Sequence, residues 1–115
     1  MISVVILLFS LAIMLGLYLI YIGVRQHRSS PVLALTHASM ASLGLVLLMV
    51  GIFQDPVTRK LYNIAAFVFV MALFGGMVLL ALREGRKPPA VFLVMLHALM
   101  ALPAIILLIM GYLQY

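Results

Sequence analysis

Four long apolar runs, spaced by short polar segments, decide what this chain can become. They cover Ile2–Val24, Val32–Phe53, Leu61–Leu82 and Ala90–Leu113. Each reaches the roughly 20 apolar residues needed to cross a hydrocarbon core about 30 Å thick. The segments between them, Arg25–Pro31, Gln54–Lys60 and Arg83–Pro89, are long enough only to turn the chain. Of the 115 residues, 68% are hydrophobic and mean hydropathy is +1.37. A soluble domain of this size could not cover so much apolar surface. The expectation is an all-α integral membrane four-helix bundle, a single transmembrane domain over residues 1–115. Whatever it does, it does in the bilayer or at its two surfaces.

The first run lacks a basic flank and an Ala-x-Ala-like cleavage site, so it is expected to be a span and not a cleaved signal. The absence of cysteine excludes disulfides, thiolate haem ligation, iron–sulfur clusters and Cys-based zinc sites. The net charge of +5 is unevenly spread. Arg25, Arg28, Arg83, Arg86 and Lys87 lie in the first and third loops, against Arg59 and Lys60 in the second. The positive-inside rule then places loops one and three in the cytoplasm and both termini outside, with a bacterial inner membrane as the expected location. These cations suit lipid headgroups, and membrane lipids are the expected partners. Nucleic-acid binding has no soluble basic face to carry it.

The chain also repeats itself. His37-Ala38-Ser39-Met40-Ala41 matches His97-Ala98-Leu99-Met100-Ala101, and the register continues through Leu47, Leu48, Gly51 and Gln54 to Leu107, Leu108, Gly111 and Gln114. That gives 8 identities in 18 positions at a constant offset of 60. Arg25-x-x-Arg28-x-x-Pro31 returns as Arg83-x-x-Arg86-x-x-Pro89 at an offset of 58. Two copies of one transmembrane hairpin are therefore expected, about 1–54 and about 60–115, in the same orientation, as in parallel repeats. Spans one and three carry no convincing alignment. Ser30 with Pro31, and Pro88-Pro89, read as helix starts for spans two and four. Asp55-Pro56 or Thr58 reads as the start of span three. Pro103 is expected to kink span four near His97. Tyr18, Tyr21, Tyr112 and Tyr115 suit interfacial belts.

An imidazole inside an apolar span is costly, so His37 and His97 are the first candidates for function. On span two the face through the histidine reads Ala34, His37, Ala41, Gly44, Leu48, Gly51; on span four it reads Val94, His97, Ala101, Ala104, Leu108, Gly111. Positions spaced in this way share one side of a helix. Small residues beside a histidine let helices approach closely, or leave room for a flat macrocycle; the sequence allows both uses. His37 is six residues past Pro31, about 9 Å along a helix, and His97 eight past Pro89, about 12 Å. A b-type haem at that depth would bring its propionates to the level of Arg25, Arg28, Arg83 and Arg86, whose guanidinium groups pair well with carboxylates. Ala41, Gly44, Ala101 and Ala104 are the expected cavity lining. Thr36, Ser39 or a backbone carbonyl are candidates for the second ring nitrogen. His27, in a loop, reads as a solvated side chain.

At these residues the chain resembles the four-helix b-type membrane cytochromes, including the cytochrome b561-like proteins, in which histidines on bundle helices hold haem. The resemblance rests on the paired His-Ala-x-Met-Ala segments and the four-span plan. It implies one bis-histidine haem b with His37 and His97 as iron ligands, and electron transfer with quinone as a candidate partner. Members commonly carry two histidines on each ligating helix, where this chain has one, so a second haem is not implied. A homo-oligomer or a subunit of a larger redox complex is the expected assembly. The alternative is a non-redox accessory or structural membrane subunit whose histidines only pack between helices. Small multidrug transporters, by contrast, need an acidic residue in the first span, which here has no ionisable group. Both acidic residues, Asp55 and Glu84, lie in loops, which also argues against proton-coupled transport. Holin-like or scaffold roles ask little of sequence. No catalytic nucleophile or acid–base pair is visible, and enzymatic activity is left open.

Overall fold

Each apolar run forms one helix in the computed structural model, which describes residues 2–26, 30–54, 60–82 and 91–114. The helices are α1 (Ile2–Arg25), α2 (Pro31–Gln54), α3 (Lys60–Leu82) and α4 (Val91–Gln114). In hydrocarbon a backbone must satisfy its own hydrogen bonds, and a helix does so within the segment. At 1.5 Å per residue each helix is about 35 Å long, enough to span with some tilt. All four are long and apolar enough to cross a membrane. The outer surface matches that reading, with Phe53, Leu113 and Val32 among many large exposed apolar side chains. No polar side chain is fully buried among the described residues.

The start of α2 follows its sequence signals. The Leu33 amide donates to Ser30 Oγ at 3.3 Å and the Ala34 amide to the Ser30 carbonyl at 3.0 Å. Pro31 takes the first helical position, where its missing N–H costs nothing. Asp55, Pro56, Thr58, Pro88 and Pro89 lie outside the described residues. Pro103 does not break α4, which runs from Val91 to Gln114, and it sits at an exposed position.

Successive helices pack side by side, and α1 closes against α4. The pairs α1/α3 and α2/α4 therefore stand on the two diagonals of the bundle. The α1–α2 and α3–α4 hairpins form the closest pairs. The order of buried, half-buried and exposed positions over 11–20 recurs residue for residue over 71–80, and that over 31–40 recurs over 91–100.

The solid core occupies the half of the bundle near the termini. Val5, Leu48, Tyr62, Ala65, Ala104 and Leu108 are buried there. At mid-height Phe9 and Phe69 meet across one diagonal as a parallel stack, centroids 3.8 Å apart and planes within 4°. Beyond that stack, toward the Arg25 end, the bundle is hollow.

Candidate functional site: a histidine pair over an apolar cavity

The hollow has a volume of about 490 Å³ and an almost wholly apolar lining. The Phe9–Phe69 stack and Leu45 form its floor; Gly23, Val24 and Val91 mark its far end. It exists because the inward positions at this level are small. Ala12, Gly16, Ala41, Ala72, Gly76 and Ala101 all line it. His37 on α2 and His97 on α4 enter it across the other diagonal, with ring centroids 6.1 Å apart and planes at 85°.

Each ring is seated against the facing helix of its own hairpin. A Cβ built on Gly16 would lie 3.0 Å from His37 Cε1, and one on Gly76 would lie 3.1 Å from His97 Cε1. The glycines are therefore notches that the imidazoles occupy. They also open a hydrogen-bond acceptor, because in a helix the carbonyl of residue 12 points toward residue 16. His37 Nδ1 lies 2.7 Å from the Ala12 carbonyl. A carbonyl only accepts, so Nδ1 carries the proton and Nε2 keeps its lone pair. The partner of His37 Nδ1 is thus a backbone carbonyl. Thr36 takes no part: its hydroxyl donates to the Val32 carbonyl at 2.8 Å. On the other side the backbone of Ala72 is the counterpart. It does not reach hydrogen-bonding geometry, and His97 Nδ1 is the buried side-chain polar atom left without a partner among the described residues.

Ala12 with Gly16 and Ala72 with Gly76 were not singled out from sequence, yet a signal was there. Phe9-x2-Ala12-x3-Gly16-x2-Leu19 returns as Phe69-x2-Ala72-x3-Gly76-x2-Leu79. The offset is again 60, with 4 identities in the 11 positions 9–19. Of the residues expected to line a cavity, Ala41 and Ala101 do so. Gly44 and Ala104 lie further along, in the packed half. A Cβ on Gly44 would come 3.2 Å from the Phe9 ring, and Ala104 is fully buried in the core cluster. Arg25 is exposed at the end of α1, by the far end of the cavity. Arg28, Arg83, Arg86 and His27 lie outside the described residues. The exposed ring of Pro103 does not touch the cavity.

The chain matches no protein-family model, no curated protein and no solved structure.

Chemistry therefore has to be read from the site itself. Two imidazoles can share a metal ion: with metal–nitrogen bonds of about 2 Å, their ring centres stand about 6 Å apart. The two rings stand 6.1 Å apart, at that separation, with their planes at 85°. A bare ion would be poorly held, since no cluster of three or more His, Cys, Asp or Glu occurs among the described residues. A metal that brings its own equatorial nitrogens in a flat apolar ring needs only the two axial donors and a greasy slot. The volume lies within the range of about 300–1,000 Å³ typical of small-molecule sites.

Proposed function

We propose that the chain binds one b-type haem in the hollow half of the bundle and transfers electrons through it. His37 and His97 would hold its iron, and Ala41 and Ala101 would line the slot with Ala12, Gly16, Ala72 and Gly76. The observation that carries the reading is the convergence of two imidazoles from diagonal helices, 6.1 Å apart, on an apolar cavity. The Ala12 carbonyl supports it further, because metal-ligating histidines characteristically donate their other N–H to such a group. Haem held by two histidines would supply an iron suited to one-electron transfer.

The residues of the chain do the rest. The Ala12 carbonyl fixes the His37 tautomer; the apolar lining excludes water; Arg25, with Arg28, Arg83 and Arg86 from the neighbouring loops, would pair with propionates. The recurrence at an offset of 60, in sequence and in burial, supports an origin by duplication of one hairpin. Loops one and three are assigned to the cytoplasm on the distribution of Arg and Lys. A quinone is the natural redox partner for a protein confined to the bilayer, within a larger redox complex.

An optical spectrum of the detergent-purified protein, air-oxidised and then dithionite-reduced, tests this. A sharp α-band on reduction is expected with stoichiometric haem, and the six-coordinate low-spin spectrum disappears in His37→Ala and in His97→Ala. A colourless protein after expression with added haem overturns the proposal. The edge-to-face packing of the two rings at 85° would then be their function, as polar contacts between helices of a non-redox membrane subunit.

A further inference from the structure

The two histidines are held differently, although their surroundings correspond. His37 Nδ1 is anchored on the Ala12 carbonyl at 2.7 Å, whereas His97 Nδ1 faces the corresponding backbone of Ala72 without forming a well-aligned hydrogen bond. One substitution in the repeat lies beside that atom. Where α1 has Leu15 ahead of Gly16, α3 has Gly75 ahead of Gly76. A Cβ on Gly75 would stand 3.6 Å from His97 Nδ1, in ordinary contact. The second notch is therefore wider by one side chain, and it opens on the side of the nitrogen that should be anchored. An anchored imidazole has one tautomer and one orientation; an unanchored one loses both constraints and is the weaker donor.

Building on the haem reading, we infer that His37 is the fixed ligand and His97 the exchangeable one, Gly75 being the residue that makes it so. Such exchange would involve no oxidation: His97 Nε2 would release the metal and a small neutral ligand would take its place. The His97 lone pair would return to the imidazole, beside whose Nδ1 Gly75 leaves space for one methyl-sized group. The chain thereby acquires a binding position for a small uncharged molecule on the α4 side of the cavity, and none on the α2 side.

Two measurements decide this. In micelles, nitrogen NMR of the histidine-labelled protein without haem should show His37 as a single Nδ1–H tautomer and His97 as a mixture or an exchange-broadened signal. In the haem-loaded protein reduced under carbon monoxide, the spectrum should convert to that of a carbonyl adduct, with His37 retained. His97→Ala should keep its pigment in five-coordinate form, and His37→Ala should lose it. Gly75→Ala, which the space accepts, should slow the conversion by roughly fivefold, because the added methyl fills the space beside His97 Nδ1 and holds the ring by packing. Equal pigment loss in both histidine variants, or two equally locked rings, overturns the inference and leaves the haem reading standing. A colourless wild type fails the haem reading itself, and the exchange at His97 with it.

Discussion

The two halves of this bundle are built from the same four helices and teach opposite lessons. Toward the termini, Val5, Leu48, Ile105 and Leu108 are buried in one cluster with the Phe9–Phe69 stack. Toward Arg25, the inward positions hold alanine, glycine and two imidazoles around about 490 Å³ of space. Between membrane helices there is little hydrophobic drive, and association rests on close packing. A void forfeits those contacts outright. The packed half thus holds the main buried apolar cluster, and the other half surrounds open space. That difference makes the halves separable by mutation.

The largest expected effect is in the packed half. Phe69→Ala removes one partner of the stack and joins the core to the cavity. Deleting a buried aromatic ring from a water-soluble core costs about 3–5 kcal/mol, and without the transfer from water the lower end applies here. Unfolding in mixed micelles, followed by circular dichroism, should register a loss of that size; a loss below about 1 kcal/mol would mean that the stack does not hold the diagonal together. Gly111→Ala comes next. Its new Cβ would lie 2.8 Å from the Tyr62 ring, and the ring is buried among core residues that cannot easily shift. Overpacking of this kind costs about 1–3 kcal/mol. The same unfolding assay should place it between Phe69→Ala and wild type.

Much of this division was hidden in the sequence. The spans were plain, because runs of apolar residues over 20 long have few alternatives. The histidines stood out because polar groups in such runs are rare. Their seats did not, since alanine and glycine carry no chemistry of their own. The repeat that marks Ala12, Gly16, Ala72 and Gly76 is diluted by differences such as Leu15 with Gly75 and Tyr18 with Val78. The stripe through each histidine was read correctly as one helix face, yet one face need not meet one environment. Gly44 lies seven residues beyond His37, about 10 Å along the axis. Over that distance the face passes from cavity to core, so the ring it meets is that of Phe9. Spacing along a helix reports direction, and height has to come from what stands opposite.

The smallest effect on stability, and the most discriminating one, is expected from Ala41→Leu. Ala41 lines the hollow, so a larger side chain there enters space and not a neighbour. Cavity filling commonly gains about 0.5–2 kcal/mol, and without a transfer gain from lipid the lower end applies. The unfolding transition should therefore move slightly toward greater stability, in the opposite direction to Phe69→Ala and Gly111→Ala. The same substitution should abolish pigment binding, because the leucine occupies the slot between the two imidazoles and the floor. Stability and binding would then move in opposite directions through one residue, which a purely structural cavity cannot produce. If Ala41→Leu instead destabilises the protein by more than about 1 kcal/mol, the hollow half is already packed by something in the membrane. The contrast between the halves would then be one of occupant rather than of empty space.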